Sequence, residues 1–409
     1  MRLSHELTTS QQLRRLHRVG AVVVLLVFMC SCGGRAVIDS PPADASPDAS
    51  LCDRSPCVVE LAAGTSQACA RLDDGTVRCW GANRYGQAGV DNAEAVTRPV
   101  AVRLTARADK LRVGAQTSCA FTSGNLSCWG LNADFGLGPG IWADKGAYPV
   151  PVPVPRPGLV DIGLGQSVFC TLSAEGEVAC AGDNSFGNTG LGADAPHIPT
   201  LTPLPNLRAS ALSVGDRASC AKLQSGGVSC WGDNIDLLIG PEADTGRAIQ
   251  TPRPVPELAR LRNINLSLGL ACGVTTEQQI GCWGSNESAN AGVVGLGPIW
   301  PPNAVAGSNG LDQPSVNVTA CALDADGNVK CWGGNDYAQL GTGQADGNVH
   351  PTPTLVAGLS SITSLAVGFD FACALTRTGH VLCWGANKLG QLGRGQTDEA
   401  FHTPAEVVW

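Results

Sequence analysis

The residues of this chain best placed to do chemistry are its cysteines. With Cys30, Cys32, Cys52 and Cys57 set aside, fourteen remain, in seven pairs: Cys69 and Cys79, Cys119 and Cys128, Cys170 and Cys180, Cys220 and Cys230, Cys272 and Cys282, Cys321 and Cys331, and Cys373 and Cys383. Structural zinc sites space their cysteines by roughly two to four residues. The eight or nine that intervene here make metal the weaker reading and a disulfide within each pair the economical one. Buried, unpaired thiols are a third reading, against which the strict pairing argues.

Other chemistry is sparse. His197, His350, His380 and His402 fall in different parts of the sequence, outside any recognisable nucleophile or metal motif. No glycine-rich loop ends in Gly-Lys-Ser/Thr, so there is no sign of a nucleotide cradle. The acidic run Asp324–Asn328, "DADGN", sits where other units have "DDGT" or "RTGH", which makes it a turn rather than a calcium loop. No catalytic, cofactor-binding or metal-ligating residue is assigned, no cofactor is expected, and the chain is not read as an enzyme.

The pairs recur every 49 to 52 residues, and such a period marks a repeat architecture. After each second cysteine comes Trp-Gly and, one residue on, Asn at 83, 132, 184, 234, 286, 335 and 387; Ala181 replaces the Trp of the third unit. An apolar residue stands two positions before each second cysteine, and a Gly four before it except at Gln278. In the first unit, "CARL" and "TVRC" flank the turn Asp73-Asp74-Gly75, a β-hairpin signal. Folding at the turn brings the cysteines opposite one another, at the separation that a disulfide needs.

An earlier apolar segment ending in Gly ("VVELAAG", "ITSLAVG") and a later Pro-flanked one ("RPVAVRL", "TPAEVV") bring each unit to about four short strands. The chain is therefore expected to be all-β, a seven-bladed β-propeller of four-stranded blades of about 50 residues, with one disulfide per blade hairpin. A closed ring also protects strand edges that an open solenoid would leave bare. One blade is expected to be completed by strands from both termini. The Trp after the second cysteine is read as packing between blades.

The chain opens differently. Arg14, Arg15 and Arg18 precede the apolar run Ala21–Met29, too short to span a bilayer, so residues 1–31 read as an export signal. "MCSCGG" resembles the bacterial lipoprotein cleavage box and makes Cys32 the lipidation candidate; Met29 is a poor residue to precede an acylated Cys30. Ordinary secretion is the alternative. Residues 32–57, rich in Pro, Ala, Ser and Asp, read as a tether, with Cys52 and Cys57 either closing a small loop or left as thiols. The propeller then occupies 58–409. Loss of Arg2, Arg14, Arg15, Arg18 and Glu6 removes a net +3 and takes the chain from −8 to −11. Nucleic acid and anionic lipid headgroups, which require clustered cations, are therefore disfavoured as partners of the folded body. Membrane contact is expected through the lipid anchor only.

The unit C-A-L-x-x-x-G-x-V-x-C-W-G-x-N-x-x-G-Q-L-G, complete at Cys373–Gly393, resembles the regulator of chromosome condensation repeat, which includes alpha-tubulin suppressor-like proteins. That family forms seven-bladed propellers, and the paired cysteines with a lipoprotein-like signal resemble its bacterial members. The resemblance implies either an exchange activity on a small GTPase, as in the nuclear namesake, or a binding surface built from loops, as in a secreted relative that inhibits β-lactamases. Export, an acidic body and the lack of a basic arm depart from the nuclear pattern.

The segments after the shared Asn vary most. Tyr85, Phe135, Trp142 and Trp300 in or beside them are the candidate partner-binding residues; Trp142 and Trp300 could equally fold back over neighbouring blades. The reading that follows is a monomeric, exported, envelope-anchored module that binds a protein or glycan in the periplasm, at the outer membrane or at the cell surface. A polysaccharide-acting enzyme is the first alternative and needs carboxylates converging at the axial mouth; an exchange factor is the second and needs cytoplasmic residence.

Overall fold

The computed structural model describes residues 52–53, 55–91, 93–132, 146–154, 157–241, 248–398 and 400–409. Cys32, Phe135, Trp142 and the leader lie outside them.

The sequence folds as a seven-bladed all-β propeller. Five blades are separate four-stranded antiparallel sheets; the third and fourth form one seven-stranded sheet, because the strand His197–Val214 serves both. That strand pairs first with Glu177–Asp183 as the outermost strand of blade 3, then with Ala218–Leu223 as the innermost of blade 4. In blade 1 the order from axis to rim is Val58–Ala63, Gln67–Leu72, Val77–Ala82 and Ala95–Ala101.

The two middle strands of every blade hold the cysteines directly opposite one another in register. All seven expected pairs are disulfides, each within its own blade and each with Cα atoms 4.1 Å apart. Cys69 joins Cys79 in blade 1, Cys119 joins Cys128 in blade 2, and Cys170 joins Cys180 in blade 3. Cys220 is bonded to Cys230, Cys272 to Cys282, Cys321 to Cys331 and Cys373 to Cys383 in the remaining four. Metal ligation and free buried thiols, the two competing readings of these cysteines, are thereby set aside. For Cys52 and Cys57, where loop closure and free thiols were both open, the structure has the disulfide.

The Gly four residues before each second cysteine takes a left-handed turn conformation, and Gln278, the exception, adopts φ 62° in the same place. The Gly after each Trp, and after Ala181, has φ of 100–124°, and a Cβ there would stand 2.2–2.7 Å from a backbone carbonyl oxygen of the neighbouring strand's loop.

Trp80, Trp129, Trp231, Trp283, Trp332 and Trp384 are fully buried and bind blade to blade. Each indole Nε1–H donates to a carbonyl of the preceding blade: Trp129 to Gln87, Trp231 to Asn188, Trp283 to Leu238, Trp332 to Asn290 and Trp384 to Gln339. In blade 3 the bulk has crossed the ladder. Ala181 faces Phe169, which is fully buried, whereas each Trp faces an Ala or Ser.

The expected completion of one blade from both termini does not occur. Blade 7 has its own outermost strand, Ala400–Glu406, so Val58–Ala63 pairs only within blade 1. The ring closes by packing instead. Trp80 Nε1–H donates to Gln391 O at 2.9 Å, Trp409 meets the Trp80 ring edge-on at 5.9 Å, and Phe369 N–H donates to Thr65 O. The end of the tether fastens the same seam. The disulfide between Cys52 and Cys57 lies against Gly379, and His380 is held between Asp53 and Glu406, each at 2.8 Å.

Candidate functional site

Strand direction divides the propeller into two faces. The hairpin turns, such as Asp73–Thr76, lie on the turn face, together with Cys57, whose N–H donates to Asp73. The opposite, loop face carries the segment after each shared Asn.

The Asn explains how those variable segments are held. Asn83, Asn184, Asn234, Asn286, Asn335 and Asn387 are nearly fully buried. The Oδ1 of each accepts the backbone N–H five residues on, and Nδ2 donates to carbonyls further along, as from Asn83 to Val90 and Ala93. The side chain replaces a backbone turn, fixing the base of each loop and leaving its tip open to variation.

Five of the ten exposed large apolar side chains among the described residues lie on those tips, including the two most exposed. Phe186, Ile235 and Leu389 are exposed, and Val294 and Leu296 are 81% and 90% exposed. Tyr85 is half-buried, with the Arg84 guanidinium 5.8 Å from its ring centroid. Trp300 folds back: its indole covers Gly240 of the preceding blade and packs on that blade's core, which was one of its two expected roles. The exposed aliphatic residues carry no repeat-wide sequence signal; "GVVGLG" reads only as part of a variable segment.

The described histidines do not converge. His197 lies 4.0 Å from Asp183, and His350 is 3.0 Å from Asp346, in separate blades. Asp324 Oδ1 accepts the N–H groups of Asp326 and Asn328, the turn read from its place in the repeat.

Carboxylates do stand along the axis, where innermost strands meet, and arginines pair with them. Arg112 makes a two-pronged contact with Asp161 at 2.9 and 3.0 Å, Lys110 reaches the same carboxylate at 3.0 Å, and Glu60 takes Arg71 at 2.7 Å. Burial pushes the Asp161 carboxyl upward, but Arg112 and Lys110 outweigh it and hold the group below its ordinary value. Asp370, in a short loop of the loop face, is the opposite case: burial, with the Asp336 charge beside it, lifts its carboxyl to about 7.

Sequence profiles of the regulator of chromosome condensation (RCC1) repeat match residues 58–87, 326–375, 362–391 and 378–408. Protein RCC2 of Homo sapiens is 41% identical over 69 residues, which are 16% of this chain and 13% of that protein; its Mus musculus counterpart is 38% identical over the same length. Among solved structures, Saccharomyces cerevisiae Prp20p superposes with TM-score 0.70 at 18% identity, covering 86% of this chain and 87% of that one. Human WBSCR16 gives 0.69 at 19%, covering 82% and 94%. These likenesses establish the fold, and the regulator of chromosome condensation repeat itself matches the chain at its two ends.

Proposed function

We propose that the chain is an exported, envelope-anchored binding module that engages a protein partner through its loop face. The observation that carries this reading is the near-complete exposure of Val294 and Leu296, the two most exposed large apolar side chains among the described residues, on a loop whose base a buried Asn fixes. The tether favours the same face, because it joins the turn face and would point the loops away from a membrane holding a Cys32 lipid. Asp91, Glu94, Asp194, Glu287, Asp336 and Asp398 outnumber Arg84 and Lys388 there, so the complementary partner is cationic around an apolar centre. Prp20p, of the same fold, has been described with binding to Gsp1p and histones, a precedent for protein recognition. The chain acts as a monomer, and the eight disulfides suit an oxidising compartment.

Two outcomes follow. Val294→Asp combined with Leu296→Asp should weaken retention of the partner about tenfold or more and leave the melting temperature unchanged, since both side chains stand in solvent. Unchanged retention would remove the loop face from the account. Non-reducing peptide mapping of the native protein should find each hairpin pair linked within its own repeat. Free thiols there, or a Cys32→Ser variant that still sediments with membranes, would contradict export or anchoring respectively.

One observation favours a second reading, hydrolysis of a polysaccharide. Burial, with the Asp336 charge beside it, lifts the Asp370 carboxyl to about 7, the range in which a carboxylic acid can donate a proton near neutral pH. In that case Asp370→Asn abolishes turnover of a bound glycan.

A further inference from the structure

The axial channel holds a cavity of about 360 Å³ that neither docking at the loop face nor the Asp370 pair uses. It runs along the innermost strands of blades 1, 2, 5, 6 and 7, from Arg262 and Asp312 where those strands begin to Ala63 and Val113 where they end. Its size falls at the lower end of the range for small-molecule sites, roughly 300–1,000 Å³.

The charged groups on its wall are already in ion pairs. Glu60 accepts from Arg71 Nε at 2.7 Å and from Leu111 N–H, with Arg112 Nη1 at 3.6 Å, and Arg112 is itself committed to Asp161. Arg262 faces Asp312 at 3.4 Å. An ionic ligand would have to break one of these pairs, at the expense of leaving the other partner uncompensated.

Arg262 Nε is the one buried charged-group atom on this wall that lacks a partner among the described residues, and the other unsatisfied groups are neutral. Asn265 is 2% exposed and gives its Nδ2–H to Pro314 O, while its Oδ1 has no partner among the described residues. Buried polar atoms are ordinarily hydrogen-bonded, so an orphan on a cavity wall points to something absent that donates to it. Gln313 and Ser364 line the same space, and their side chains make no hydrogen bond to any described residue. Gln313 is also held at φ 51°, in a bulge between Asp312 and Ser315 where the strand register slips. A bulge re-aims a side chain, and a non-glycine residue in that conformation is retained where its placement serves something else. Facing these amides and the hydroxyl are Leu61, Leu111, Val113 and Leu365.

We propose that this cavity binds a neutral saccharide of one or two units, its hydroxyls donating to Asn265 and exchanging hydrogen bonds with Gln313 and Ser364, its C–H faces against the leucines and valine. Hydroxyls supply the donors and acceptors that the amides lack without disturbing the ion pairs, and the aliphatic wall accepts the rest of the ring.

Saturation-transfer NMR and calorimetry on the full-length oxidised chain in mild detergent would test this with maltose, cellobiose and N-acetylglucosamine as probes, and glucuronate and glucosamine as charged controls. The expected result is saturable, one-to-one binding of a neutral sugar, with the charged controls at least about tenfold weaker. Asn265→Leu should abolish binding, but it also removes a strut to Pro314. Gln313→Leu with Ser364→Val is therefore the second variant, expected to weaken binding at least about tenfold at an unchanged melting temperature. Failure of every neutral sugar to bind at millimolar concentration, binding indifferent to both variants, or a preference for a charged sugar would each overturn the proposal.

Discussion

Replacing Trp80 with alanine is expected to lower the free energy of unfolding by about 3–5 kcal/mol, the usual range for truncating a fully buried indole. Trp80 has no exposed surface, and its Nε1–H donates to Gln391 O across the junction of blades 1 and 7. Truncation leaves a cavity, strips the edge contact with Trp409 and orphans a buried carbonyl. The place matters as much as the volume. Among the described residues no strand ladder crosses this junction, so side-chain packing and the tether clasp carry closure. At the junction of blades 3 and 4, by contrast, His197–Val214 runs through both, and Trp231→Ala should be the milder change. Urea denaturation of both variants checks this. A Trp80→Ala loss under about 1 kcal/mol, or a larger loss for Trp231→Ala, would mean that closure rests elsewhere.

Arg112→Met should be nearly as damaging, by about 3 kcal/mol at neutral pH, because it leaves the Asp161 carboxylate, 9% exposed, with Lys110 as its remaining cationic partner. The pH dependence has a definite sign. In the native protein the Asp161 carboxyl is held below its ordinary 3.8, so its stabilisation is present above that value and is lost as pH falls through the depressed folded one. Without Arg112 the folded carboxyl titrates higher. The deficit is then largest above the carboxylate range and narrows as the solution is acidified into it. Asp161→Leu added to Arg112→Met should restore most of the loss by removing the stranded charge. A deficit equal at about pH 7 and about pH 4, or no rescue by the double variant, would show that Arg112 acts through its bulk rather than its charge.

Much of this architecture was legible in the repeat unit. The cysteine spacing, the Gly before each second cysteine and the Trp after it fix hairpin, turn and blade interface locally, and local features survive into the sequence. Ala181 shows how a local pattern can be kept by a non-local swap. The missing indole is made good by Phe169 on the facing strand, in "VFC", where other units place Ala or Ser. Ring closure was not legible because both ends carry strand-like segments, and only the three-dimensional pairing shows that blade 7 already owns its fourth strand. The axial ion pairs were hidden for a related reason: Arg112 and Asp161 are 49 residues apart, one repeat on, at positions where other units carry unrelated residues. The loop face was legible as variation but not as chemistry, since exposure of Val294 and Leu296 depends on how the ring leaves a loop unsupported.

The most direct test of the proposed function is to immobilise the oxidised domain from Gly33 onward, without lipid, and identify what it retains from envelope and culture-fluid extracts of the producing organism. The account predicts one protein, cationic at its contact surface, retained saturably and in stoichiometric amount, and lost when Val294 and Leu296 are changed to Asp. Retention of glycan alone, with slow turnover that Asp370→Asn abolishes, would contradict the binding-module reading and put hydrolysis in its place.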